Sequence, residues 1–169
     1  MMPDTILKGK AFKFGGNIST DHIIPGKYAH LRSNLPELTK HVMEDADSTF
    51  AEKVKPGDFI VAGKNFGLGS SREHAALVIK MAGVSAILVK SVARIFFRNA
   101  INQGLPTLIC DTDKIDAGDE LEVNLTRSII TDLTKGIQLT FGKIPKVMLN
   151  ILNEGGLISY ISRYGDFTL

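Results

Sequence analysis

The chain contains one cysteine, Cys110, and no tryptophan, and no long apolar run interrupts its 169 residues. A lone thiol excludes an internal disulfide. It also excludes an iron–sulfur cluster held by this chain alone, because such clusters take about four cysteine ligands. The histidines, His22, His30, His41 and His74, form no metal-ligand pair at helical spacing, so any metal chemistry must draw its metal from a partner. Apolar stretches such as Ala86 to Val89 are too short to cross a bilayer. Charge of one sign is missing as well: 20 Lys+Arg against 18 Asp+Glu leave +2, and there is no basic run or aromatic stripe of the kind that binds nucleic acid. Met1-Met2-Pro3-Asp4 lacks a basic segment followed by an apolar core. No secretory leader is therefore expected, and the cytoplasm is the expected compartment.

What is present is an ordinary globular balance, 44% hydrophobic and 22% charged, which suits one domain over residues 1–169. Residues 58–110 carry the clearest pattern. Pro56-Gly57 turns into an apolar run, Asp58 to Ala62, followed by a glycine-rich loop. Ser70 is expected to open a helix with Glu73 at the capping-box position. Ala75, Ala76, Ile79 and Ala82 make its apolar face, and Gly83 ends it. Val84 to Val89 reads as a buried strand, Ser91 as the cap of a second helix ending at Gly104, and Leu105 to Cys110 as a third strand. Strand and helix alternating at this spacing predict parallel βαβ units. Ile6 to Phe14 reads as an edge strand with lysines outward. Residues 36–46 read as a helix started by Pro36, Leu121 to Leu125 and Ile137 to Phe141 as half-buried antiparallel strands, and Pro145 to Leu152 as a last helix stopped by Gly155-Gly156. The expected fold is α/β: a small parallel βαβαβ core packed beside an antiparallel β layer.

In open α/β sheets ligands collect where strands lead into helix N-termini, and Gly63 to Arg72 occupies such a place. Its glycines let backbone approach a ligand. First-turn amides, two hydroxyls and the Arg72 guanidinium suit a carboxylate or phosphate. Nucleotide motifs fail on the deciding residue: Gly69-Ser70-Ser71 lacks the P-loop lysine, and Arg72 stands where the dinucleotide fingerprint needs glycine. Taken alone, Asn17 to His22 is a turn whose side chains bond locally. Arg94, Arg98 and Asn99 read as a solvated helix face, and Cys110 as a buried strand residue. On residues alone, a non-catalytic anion- or partner-binding module stays open beside an enzyme.

The run Gly67-Leu68-Gly69-Ser70-Ser71-Arg72-Glu73-His74-Ala75-Ala76 resembles the active-site loop of the aconitase superfamily. Asn17 to His22 and Ser91 to Pro106 are similar to two further stretches of that superfamily's swivelling domain. A free chain of this length resembles the small subunit of its two-chain members. The resemblance implies a swivelling β/β/α domain and a hydro-lyase that dehydrates and rehydrates a hydroxy-di- or tricarboxylate of the alkylmalate or homocitrate type. It implies that Ser70 is the general base, that Ser71 and Arg72 bind a substrate carboxylate, and that Asp21 and His22 assist proton movement. Arg32 would recognise substrate. It further implies a large subunit carrying a [4Fe-4S] cluster, paired with this chain as a heterodimer or heterotetramer, with no cofactor bound here.

Overall fold

A computed structural model of the chain describes residues 5–165; the leader reading of Met1 to Asp4 lies outside the described residues. Seven strands form one mixed sheet in the order β4-β3-β2-β1-β5-β6-β7. They are β1 (Ile6–Lys13), β2 (Phe59–Val61), β3 (Ala86–Val89), β4 (Thr107–Ile109), β5 (Glu120–Asn124), β6 (Ile129–Asp132) and β7 (Ile137–Thr140). β1 to β4 run parallel to one another, while β5 to β7 are antiparallel neighbours on the other side of β1. The α/β class and the parallel βαβ core expected from the sequence are present.

β1 is not an edge strand. Ala11 to Lys13 pair with Phe59 to Val61, whereas Ile6 to Lys10 pair with Asn124 to Glu120. Outward lysines are common edge guards, which makes the misreading natural. Here they face acids across the pair instead: Lys8 Nζ lies 3.3 Å from Glu122 Oε2, and Lys10 Nζ 3.8 Å from Glu120 Oε1. β1 thus joins the two halves of the sheet, which curls so that they share a core. Phe59, Val61 and Leu88 meet Leu121, Val123, Ile130 and Leu139 on one face. Ile60, Ile87 and Val89 pack on the other against Ala75, Val78, Ile79 and Phe96. Strands buried on both faces lose the alternation that marks β5 and read as continuous apolar runs.

The helices are α1 (Thr20–Ile23), α2 (Leu35–Thr39), α3 (Phe50–Lys53), α4 (Glu73–Met81), α5 (Arg94–Asn102), α6 (Lys146–Asn153) and α7 (Leu157–Tyr164). Several boundaries depart from expectation. α4 starts at Glu73 with Arg72 as an N-cap lacking a side-chain bond, so Ser70 caps nothing. α5 starts after Ala93, also without a side-chain cap; Ser91 Oγ instead accepts from the Asn65 N–H at 2.8 Å. The helix expected over 36–46 stops at Thr39. Met43 has φ +60° with its N–H on the Ile23 carbonyl at 2.9 Å, a backbone that no helix accommodates. α1, α3, β6 and α7 are additional to the expected elements; α7 is held by Tyr160, fully buried against Ile101, Ile151 and Leu152.

Candidate active site

The loop after β2 is stitched to chain on both sides. Gly67 N–H donates to Ile18 O at 2.7 Å and Thr20 N–H to Leu68 O at 2.9 Å, while Phe66 N–H donates to Ser91 O at 3.1 Å and Ala93 N–H to Phe66 O at 2.8 Å. Left-handed backbone at Gly67 (φ +76°) and Gly69 (φ +106°) makes these turns possible. At Gly67 a side chain is also barred by space, since an added Cβ would lie 2.3 Å from Phe96 Cγ. These bonds carry the chain past Ser70 before helical geometry begins, which is why the capping-box expectation fails.

Ser70 and Ser71 are exposed at the mouth of two adjoining cavities, of about 220 Å³ and about 620 Å³. Both cavities are lined by Ser70, Ser71, Arg72, Ile95 and Asn99. The smaller adds Thr20, Gly67, Gly69 and Arg94, and the larger adds Arg32, Glu73 and His74. Among the described residues no group hydrogen-bonds to Ser70 Oγ, the amides of the following helix included. Arg72 is half-buried and tied at both terminal nitrogens, with Nε and further N–H groups left over: Nη1 donates to Ile24 O at 2.8 Å, and Nη2 lies 2.8 Å from Asp21 Oδ1. The guanidinium therefore ties α1 and its C-terminal residue to the serine loop.

Asp21 and His22, coupled in the sequence reading, go to different partners. His22 closes a capping box: its Nδ1 accepts from the Ser19 N–H at 2.9 Å and lies 2.8 Å from Ser19 Oγ, which in turn accepts from the His22 N–H at 3.3 Å. An Nδ1 that accepts leaves the ring proton on Nε2 in the neutral form. Neither residue lines the two cavities, and Asp21 reaches the site through Arg72. Arg32 follows a 3-10 turn, Gly26–Leu31, whose Tyr28 stacks on His41 at 3.7 Å between ring centroids. The neighbouring Glu44 carboxylate holds the Tyr28 phenol above its ordinary value, and Tyr28 and His41 in turn hold the Glu44 carboxyl below its own. Leu31 and Leu35, on either side of Arg32, pack on the helix-side core.

The residues that sequence reasoning passed over are Thr20, Arg94, Ile95 and Asn99. Arg94 and Asn99 had a signal, five residues apart on one helix, but pattern alone cannot separate a solvated face from a cavity wall. Arg98 is exposed and outside both walls. Burial pushes the Cys110 thiol up to about 12, helped by Asp111, the opposite of a ligand thiolate. Among the described residues there is no group of three or more His, Cys, Asp or Glu able to hold a metal ion.

Comparison with known proteins matches residues 13–112 to the aconitase C-terminal domain family. A relative from Archaeoglobus fulgidus, named 3-isopropylmalate dehydratase small subunit 2, is 65% identical over 161 residues, covering 95% of this chain and 98% of its own. Another from Methanocaldococcus jannaschii, named isopropylmalate/citramalate isomerase small subunit, is 50% identical over 161 residues, 94% of this chain and 95% of its own. The crystal structure of a 3-isopropylmalate dehydratase from the same archaeon superimposes with a TM-score of 0.91 at 44% identity, covering 95% of this chain and 96% of that one. This chain belongs to the aconitase C-terminal domain family, among relatives named as small subunits of 3-isopropylmalate dehydratase.

Proposed function

We propose that this chain is the small subunit of a 3-isopropylmalate dehydratase, a hydro-lyase that interconverts 2- and 3-isopropylmalate through an alkene in branched-chain amino-acid biosynthesis. One observation carries the reading: two exposed serine hydroxyls stand over a cavity whose walls bring in Arg72, Arg94 and, in the adjoining space, Arg32. Ser70 takes the proton from the carbon next to a carboxylate. Ser71 and Arg72 hold that carboxylate, and Arg32 meets the substrate's distal part. A serine oxygen is a poor base in water, and each pKa unit of lowering requires about 1.4 kcal/mol of preferential stabilisation of its anion. A neighbouring guanidinium supplies stabilisation of that kind once a partner chain closes the cleft to water. Asp21 tunes it by fixing Arg72, and His22 by shaping the turn that presents Asp21.

Departure of the hydroxyl calls for an acid that these residues do not include. The reading therefore places a [4Fe-4S] cluster on a large-subunit partner, with the site completed where the two chains meet. Ile95, 51% exposed between the polar walls, suits an alkyl-bearing acid. The test is reconstitution with the large subunit and side-by-side turnover of 3-isopropylmalate, citramalate, dimethylmalate and homocitrate. Turnover of 3-isopropylmalate that falls ~10²–10⁴-fold in Ser70→Ala supports the proposal. Full activity in that variant would reduce the chain to a binding module.

A further inference from the structure

We infer that Tyr28, clasped by His41 and Glu44, is a positioning residue that holds the turn bearing Arg32 at the rim of the larger cavity. The inference rests on the dehydratase reading, in which Arg32 meets the distal part of the substrate. Three observations support it. The first is how little the backbone of the turn ties it to the rest of the molecule. Among the described residues its bonds are local: Tyr28 N–H to Pro25 O at 3.0 Å, Arg32 N–H to Ala29 O at 3.3 Å and Asn34 N–H to Leu31 O at 2.8 Å. No residue of Gly26–Leu31 is fully buried, and a cavity of about 20 Å³ lies between the turn and Arg72 and His74. Its place is therefore set by side chains, and Tyr28 and Leu31 are the ones that pack on the helix-side core.

The second observation is that the surface receiving Tyr28 is firmly held. Val42 and Met43 are fully buried, and the Met43 N–H bonds to Ile23 O at 2.9 Å. His41, beside them, stacks on Tyr28 with ring centroids 3.7 Å apart and an interplanar angle of 15°. The third is that charge fixes the ring planes. Glu44 Oε1 lies 3.4 Å from His41 Nδ1, and a carboxylate only accepts, so the ring proton sits on Nδ1. Lys27 Nζ stands 5.2 Å from the Tyr28 centroid, within cation–π range. Without this clasp, the exposed Arg32 would ride on a loose turn and would have to be ordered each time substrate binds. Ordering it beforehand favours binding and leaves proton transfer at Ser70 untouched, so the clasp acts on KM and not on kcat.

The test uses the complex reconstituted with the large subunit and 3-isopropylmalate. Tyr28→Ala is expected to raise KM ~10-fold with kcat within about threefold of the parent. Tyr28→Phe keeps the stacked ring and should hold KM within about threefold. His41→Gln removes the partner ring and should reproduce the Tyr28→Ala shift, so the answer survives if the alanine variant fails to fold. In an Arg32→Gln background, Tyr28→Ala or His41→Gln should change KM less than about twofold, a non-additivity that general loosening of the fold would not produce. KM within about twofold of the parent in both clasp variants, or effects that multiply with that of Arg32→Gln, overturn the inference. Full turnover in Ser70→Ala overturns the dehydratase reading instead, so the two failures are distinguishable.

Discussion

The two halves of the sheet use similar apolar residues but finish their polar groups differently. In the antiparallel half the turns close on themselves: Asn124 Oδ1 accepts from the Arg127 N–H at 2.9 Å, and Asp132 Oδ1 from the Lys135 N–H at 3.0 Å. Lys135 also pairs with Asp116 at 2.7 Å and Asp119 at 3.2 Å. In the parallel half, strands run out into loops and into two helices whose first turns lack side-chain caps, beside a buried hydroxyl without a partner. The antiparallel half also leaves one buried atom, Asp132 Oδ2, without a partner. The difference therefore lies in the turns and helix starts, which find their partners locally in one half and stay open toward the cavities in the other. Stability and chemistry are thus divided across β1.

That division can be tested by mutation. The largest effect belongs to Ser70→Ala, with kcat down ~10²–10⁴-fold and an unchanged urea midpoint, since the side chain is exposed and buries nothing. Leu121→Ala inverts the pattern. Leu121 is fully buried between the halves, so stability should drop by ~2–5 kcal/mol while kcat per folded complex holds; a large loss of kcat at full folding would mean that the antiparallel half shapes the site. Asp132→Asn comes next. Burial raises the Asp132 carboxyl above its ordinary range, and neighbouring Asp119 raises it further against the Lys135 amide. A raised folded-state pKa makes that residue's contribution fullest below the unfolded carboxylate range and lost as pH rises through the folded value. The variant should therefore gain on the parent as pH rises, by about 1–3 kcal/mol at neutral pH, read from urea midpoints at several pH values. An advantage independent of pH would discard the titration account. Smallest is Lys8→Ala, which loses the exposed pair with Glu122 and should cost no more than ~1 kcal/mol, less at high salt.

How much of this was legible from the residues depends on what each feature answers to. The parallel core was, because β2 and β3 are buried on both faces, with Gly63 just after the first apolar run and Gly83 just before the second. Gly83 and Gly104 stand with positive φ just past α4 and α5, as expected. The centrality of β1 was not, because outward lysines look the same whether they guard an edge or face Glu120 and Glu122. α7 escaped because Gly155-Gly156 reads as a stop, yet these glycines only turn the chain before another helix starts. In the site, the serine loop was evident from composition, whereas its delayed helix start depends on bonds to Ile18 and Ser91, far away in sequence. The same applies to Thr20 and Asn99, whose importance rests on which cavity they border. Only folding decides that.

β1 has a mechanical consequence. Its first residues are zipped to the hairpins, its last to the parallel strands, and the chain then runs without another strand to the turn bearing Asp21. Strand hydrogen bonds link the hairpins to the reacting end of the molecule through this one strand, and the shared core is their other link. Insertions at the tips 126–128 or 133–136 should accordingly leave catalysis alone, which makes those tips the natural places to graft a tag, a fluorophore or a new binding loop.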